Sequence, residues 1–215
     1  VITDDHKGTT IGSDEGKAAM EMMRQILEVA APQTVVAETG TDSLFNSGLV
    51  GMITQGSWMI NSFYTAENSK DYAWAEIPYY DRNGDGACQK DERWTCYNGL
   101  GWAAAANGKN LDAAWSLIEH LTSKEGQLKQ AELGVTMSAY EGTSDAWVNS
   151  VDCFDLNGHM KMLDAKLVFR PYSRVTTVWE DMMTEKLKEA WTGEKATADV
   201  CADIAAEMNA ALAEE

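Results

Sequence analysis

Basic residues are scarce in this chain: 17 Lys and Arg stand against 34 Asp and Glu over 215 residues, a formal charge of −17. Nucleic acid is a poor partner for such a surface, because phosphate binding needs clustered cations. An anionic membrane face is disfavoured for the same reason. Apolar runs are short, and the longest candidates, such as Leu100–Ala106, fall far below the ~20 residues of a membrane span. There are four cysteines, at 88, 96, 153 and 201, and no C-x-x-C, which argues against a zinc ribbon or a thioredoxin-type pair. Cys88 and Cys96 are close enough in sequence to bridge a short loop in an oxidising compartment, with two free thiols as the alternative. Cys201 shares an apolar stripe with Ile204, Ala205 and Met208, so burial accounts for it as well as bonding does. The chain opens Val-Ile-Thr-Asp-Asp-His, with neither a starting Met nor a leader, as a trimmed or fragmentary chain would. G-x-S-x-G, H-E-x-x-H, P-loop and Cys-His nucleophile patterns are lacking.

What is present is ample core material. A hydrophobic content of 45%, with eight Trp and eleven Met, excludes a disordered chain of low hydropathy. Ser13, followed by Asp14 and Glu15, predicts the start of a helix whose apolar face runs Ala19, Met22, Met23, Ile26, Leu27 and Ala30, with Pro32 beyond its end. Further helices are expected over 43–46, 111–121, 125–133, 144–149, 160–167, 175–191 and 198–213, with Gly134 and Gly193 as stops and Thr197 as a cap. Ser57 is a candidate cap for a short helix carrying Trp58, Ile60 and Phe63. Strands are expected over 50–54, 73–79 and 100–106. Strands interspersed with more helices indicate an α/β chain.

The sharpest local motif runs from Asp81 to Glu92. It matches the D-x-N-x-D-G-x-x-x-x-x-E calcium loop at each ligand-bearing position. Asp81, Asn83 and Asp85 supply oxygens at alternate positions and Gly86 permits the turn. Ala87 offers its carbonyl, Gln89 a direct or water-mediated contact, and Glu92 a bidentate carboxylate. The flanks, Ile77-Pro78-Tyr79-Tyr80 and Arg93-Trp94-Thr95-Cys96, read as extended, unlike an EF-hand. The alternative is a polar hairpin tip built from Asn-Gly and Asp-Gly turns.

Several segments, in order, carry a resemblance. Phe45-Asn46-Ser47-Gly48, Val50-Gly51-Met52 and Gln55-Gly56-Ser57-Trp58 lead to Trp74–Pro78 and then to Asn98-Gly99-Leu100-Gly101-Trp102-Ala103. Ala113-Ala114-Trp115, Leu121–Gln127, Phe169-Arg170-Pro171-Tyr172, Val178-Trp179 and Trp191-Thr192-Gly193 follow. Together they resemble the family 1 bacterial extracellular solute-binding proteins, the maltose-binding-protein-like receptors of ABC importers, over essentially the whole chain. The inserted calcium-type loop and Met137-Ser138, where a Pro is common, depart from that pattern.

The resemblance implies an α/β, periplasmic-binding-protein-like fold of type II, represented by its C-terminal half. Residues 1–103 would form the first part of the C-terminal lobe, 104–164 a helical segment crossing to the N-terminal lobe and back, and 165–215 the closing helices. It implies capture of a sugar or oligosaccharide between two lobes that close about a hinge, and delivery to the permease subunits of an importer. It also implies an extracellular or periplasmic location, a lipid anchor at an N-terminus that is missing here, no catalysis and no organic cofactor. Sugars offer apolar C–H faces to aromatic rings and hydroxyl rims to polar groups. By the resemblance Trp58 and Trp179 stack on carbohydrate, and Trp102 adds a third wall. Arg170 and Tyr172 donate to hydroxyls, Glu180 accepts, and Asn98, with Tyr97, lies near the hinge. Core packing is the alternative for Trp179, which shares a stripe with Val175, Val178, Met182, Met183, Leu187 and Trp191. Trp115, Trp147 and Trp191 are assigned to packing, and His6, His120 and His159 to surface or core. A glycoside hydrolase fragment and a calcium-dependent adhesion or docking module are the rival functions.

Overall fold

A computed structural model describes residues 1–32, 35–36, 39–89, 91–153 and 155–215. The chain divides into two compact units, one made of 1–38 and 170–215, the other of 39–169. Residues 104–164 fall inside the second unit together with 39–103.

Among the described residues, the first unit is built on α1 (Asp14–Leu27) and two long C-terminal closing helices. The Ser13 side chain caps α1 as expected, accepting from the Gly16 N–H at 3.1 Å. The closing helices span Thr176–Trp191 and Thr197–Ala213, and Gly193 between them takes φ +75°, the left-handed stop that glycine permits. Thr197 is not the cap. It stands inside the last helix, after Ala196, and its hydroxyl donates to Glu21 Oε2 at 2.7 Å, which ties that helix to α1. Arg24 and Thr197 together hold the Glu21 carboxyl down at about 2. Ile11, Leu187, Ala190, Val200, Cys201 and Ile204 form the core of this unit. A second cluster of Trp179, Met208 and Leu212 packs with Ile2 and Val175. Cys201 is buried, and burial pushes its thiol up.

The second unit contains α2 (Thr41–Asn46), a 3₁₀ turn Ser57–Met59 leading into α3 (Ile60–Tyr64), β1 (Trp94–Cys96), α4 (Leu111–Thr122) and α5 (Lys124–Glu132). It continues through α6 (Ser144–Val148), α7 (Asn157–Lys161) and β2 (Lys166–Val168). With these assigned, the closing pair of the first unit are α8 (Thr176–Trp191) and α9 (Thr197–Ala213). Ile60, Ala131, Trp147 and Leu156 are buried together, with Trp74 and Met137 against them. A polar knot sits beside this core. Gln127 donates to the Leu121 carbonyl at 2.9 Å and accepts from Ser138 at 3.3 Å, and Thr143 donates to Ser138 at 2.6 Å.

The strands differ from expectation. A strand exists through its ladder, and 50–54, 73–79 and 100–106 have no ladder partner among the described residues. Residues 96–113 are exposed throughout. The observed sheet instead pairs β1 with β2 in parallel, Trp94 opposite Lys166 and Cys96 opposite Val168. The Lys166 ammonium lies 4.0 Å from the Trp94 ring centroid, a cation–π contact across that pair. The helix expected over 160–167 therefore stops at Lys161 and gives way, after a 3₁₀ turn, to β2. Ser57 starts a 3₁₀ turn rather than capping α3 with its side chain.

The Cys88–Cys96 bridge is not formed. All four cysteines are free, and each of this pair turns to its own neighbour: Cys88 Sγ to the Gln89 carbonyl at 3.6 Å, Cys96 Sγ to Asn98 Oδ1 at 3.5 Å.

Candidate functional site

In the second unit the candidate sugar-contacting residues share one property, exposure. Trp58 is 60% exposed and Trp102 57%, although an indole is normally among the better-buried side chains. Trp58 stands in the 3₁₀ turn, and its ring folds back over Gly56: a Cβ at position 56 would fall inside the indole. The Gly-Ser-Trp order thus has a steric cause, since the missing side chain leaves the ring its place. Ser57 Oγ lies 3.5 Å from Thr136 Oγ1. Asn98 and Trp102 follow β1 on the exposed segment. Tyr97 extends the ladder, its N–H donating to the Val168 carbonyl at 2.7 Å, and its ring meets Phe169 edge-on at 5.6 Å. Phe169, 71% exposed, is an aromatic candidate that the sequence reading passed over. Its only signal was its place directly before Arg170.

In the first unit, Arg170 and Glu180 are brought together. Arg170 Nε and Nη2 donate to the two Glu180 oxygens at 2.9 and 2.6 Å, a bidentate fork. Both groups were expected to meet hydroxyls separately. Paired, they present a preorganised edge on which the guanidinium keeps further N–H donors. Tyr172 is exposed beside them. Trp179 departs from the stacking role. Its side chain is 2% exposed, covered by Met208 and Leu212, and its indole N–H donates to Ser173 Oγ at 3.0 Å. A ring with no free face is a core residue, as its helical stripe had indicated. Trp147 is buried as expected, whereas Trp115 is 60% exposed on α4, its indole N–H turned to Glu119 at 3.1 Å.

His159 lies among aromatic rings, 4.5 Å from Trp74 and 5.5 Å from Trp147 by centroid, and accepts the Trp74 indole N–H on Nδ1. Burial pushes its imidazole down to about 4. The ring is neutral at ordinary pH and serves packing. Two depressions of the second unit, about 260 Å³ beside His120, Glu125 and Lys129 and about 350 Å³ beside Asn149, Cys153 and Asp155, include none of the candidate sugar contacts.

The 81–92 loop closes on its own backbone. Asp81 accepts the N–H groups of Gly84, Asp85 and Gly86 at 2.7, 3.2 and 2.9 Å, and Asp85 that of Ala87 at 2.8 Å. Glu92, buried, accepts those of Arg82 and Gln89 at 3.0 and 2.9 Å. The Ala87 N–H and then the Asn83 amide lower the Asp85 pKa. Among the described residues, Lys90 lying outside them, no three His, Cys, Asp or Glu side chains are gathered for a metal ion. The donor types and spacing suit calcium, while the carboxylates in this conformation are held by N–H groups.

No curated protein sequence matches the chain significantly. Among solved structures, an ABC substrate-binding protein from Listeria monocytogenes in complex with cycloalternan superimposes with a TM-score of 0.79 at 14% identity. The match covers 99% of this chain and 53% of that one, so the chain spans about half the length of that neighbour. At this identity the likeness shows the fold: a partial periplasmic-binding-protein-like architecture, helix-rich with a small sheet. The sequence profile described as bacterial extracellular solute-binding protein matches residues 2–150, well over half of the chain. The chain belongs to the bacterial extracellular solute-binding protein family.

Proposed function

We propose that this chain is part of the sugar-capturing component of an ABC importer, working outside the cytoplasm on an oligosaccharide and passing it to membrane permease subunits. One observation carries the reading: in a chain of the solute-binding family, Trp58 and Trp102 hold indoles exposed that burial would otherwise claim. Exposed indole faces match the apolar C–H face that a sugar offers. The Listeria neighbour, bound to an oligosaccharide, supports the same class of ligand. Catalysis is no part of this reading, and family membership does not favour the hydrolase or docking alternatives. A lipid anchor would keep such a receptor beside its permease.

We also infer that the 81–92 loop takes a structural calcium ion, held by Asp81, Asn83, Asp85, the Ala87 carbonyl, Gln89 and Glu92. Ligand type and spacing support this, as do Gly84 and Gly86 at φ +71° and +73°, which turn the loop. The ion would replace N–H groups as the partner of the carboxylates. Calorimetric titration tests it: uptake at or below about 1 mM fits an extracellular site, and none at that concentration contradicts it.

The receptor reading is tested by a thermal-shift screen of the full-length protein against a carbohydrate panel. A ligand bound only by the native state raises the melting temperature. A rise confined to one class of oligosaccharide is expected; no rise with any of them removes the reading.

A further inference from the structure

The chain holds four Asn-Gly pairs, at 83–84, 98–99, 107–108 and 157–158. This dipeptide is chemically labile. Glycine has no side chain to shield its nitrogen, so that nitrogen can reach the carbonyl carbon of the asparagine amide. Sequence alone puts the four pairs on an equal footing. The structure separates them by what each glycine N–H and each amide already does.

Three pairs are held. The Gly84 N–H donates to Asp81 Oδ1 at 2.7 Å, and the Asn83 amide donates to Asp85 at 2.9 Å. The Gly108 N–H donates to the Ala105 carbonyl at 2.8 Å. Asn157 lies within α7, its amide donates to Asp155 at 2.7 Å, and a Cβ on Gly158 would come within 3.2 Å of the Trp74 ring. Asn98-Gly99 differs at each point. It follows β1 on exposed backbone outside any helix or strand. Among the described residues nothing accepts from the Gly99 N–H or from Asn98 Nδ2. A Cβ at position 99 would meet no atom within 4 Å, so the space for a closing ring is open. The contact that the Asn98 amide does make falls on its oxygen, where Cys96 Sγ lies 3.5 Å from Oδ1. The thiol donates there, at the atom on which charge develops when the carbonyl is attacked.

We propose that Asn98-Gly99 is a site of spontaneous covalent modification, the amide being lost through a succinimide while the other three pairs are protected by the fold. The Gly99 nitrogen gives its proton to hydroxide and bonds to Asn98 Cγ. The Cγ–Nδ2 bond breaks, and Nδ2 takes a proton from water and leaves as ammonia. Water then opens the ring at either carbonyl, which leaves aspartate or isoaspartate at position 98. The product sets a carboxylate in place of an amide donor on the exposed segment that carries Trp102, and the isoaspartate form lengthens the backbone there by one carbon. None of this depends on the receptor reading.

Peptide mapping by mass spectrometry tests it, on the full-length protein incubated in mildly alkaline buffer, folded and in urea. In the folded protein, conversion at Asn98 is expected to outrun each of the other three by about three- to tenfold, the factor for one hydrogen bond that must break before reaction. In urea, where those bonds are gone, the four rates are expected to converge. Gly99→Ala fits the open space and is expected to slow conversion several-fold at Asn98 alone. Conversion in the folded protein at Asn83, Asn107 or Asn157 as fast as at Asn98 overturns the proposal. So does a lead for Asn98 that persists undiminished in urea, because sequence rather than structure would then set it.

Discussion

Trp179→Ala is expected to damage stability rather than ligand recognition. The side chain is 2% exposed, packed against Met208 and Leu212, with its N–H on Ser173. Truncating a buried Trp to Ala costs about 3–5 kcal/mol through lost burial and the cavity left behind. The orphaned Ser173 hydroxyl can turn to water and adds little. Met208 is flexible and can fill part of the space, which places the expectation toward the lower end, about 3 kcal/mol. For a chain of this length each kcal/mol moves the melting temperature by about 2–4 °C, so a fall of about 6–12 °C is expected. Thermal unfolding followed by circular dichroism measures it. Trp58→Ala, run beside it, removes an exposed ring and is expected to stay within about 0.5 kcal/mol of the wild type. A Trp179→Ala protein as stable as the wild type, but unable to bind sugar, would refute the packing argument and return Trp179 to the ligand.

Gly56→Ala places a methyl group where the Trp58 indole lies. The ring must swing away, so sugar affinity is expected to fall about tenfold or more while the unfolding midpoint changes little; unchanged titration calorimetry would contradict this. His159 gives a pH signature, since burial holds it at about 4 against the ordinary 6.5. The unfolded chain takes up the proton first, so stability is complete above about pH 6.5 and declines as pH falls toward 4. The decline is at most about 3 kcal/mol, and about 1–2 kcal/mol once the partial solvent access of the ring is allowed for. The difference between wild-type and His159→Gln urea midpoints from pH 7 to 4 isolates it from the carboxylates. A difference that does not change with pH would contradict the burial assigned to His159.

The helices were legible because their signals are local. A cap at Ser13, a stop at Gly193 and apolar stripes along α4, α8 and α9 need no knowledge of partners. The sheet was not legible: β1 and β2 are three residues each, distant in sequence, and their parallel pairing leaves no alternation long enough to read. Segments expected as strands, such as 100–106, carry no ladder among the described residues, because pairing depends on a neighbour rather than on an apolar run. At the candidate site, Trp58 was found through its glycine-flanked motif, and the steric role of Gly56 explains why that motif has its order. Trp179 had two readings, and periodicity alone had pointed to the core that the structure shows. The Arg170–Glu180 fork spans ten positions, beyond the reach of any local pattern. The calcium-type spacing was plain, whereas the N–H groups that occupy its carboxylates follow from the fold of the loop.

The central claim is that the exposed indoles receive an oligosaccharide, and a crystal structure of the full-length protein grown with cycloalternan or the best carbohydrate of the panel tests it most directly. The expected result is a sugar ring stacked within about 4 Å of Trp58 or Trp102, with Trp179 still covered by Met208 and Leu212. Sugar bound against an uncovered Trp179, or at a place that touches neither exposed indole, would contradict the account.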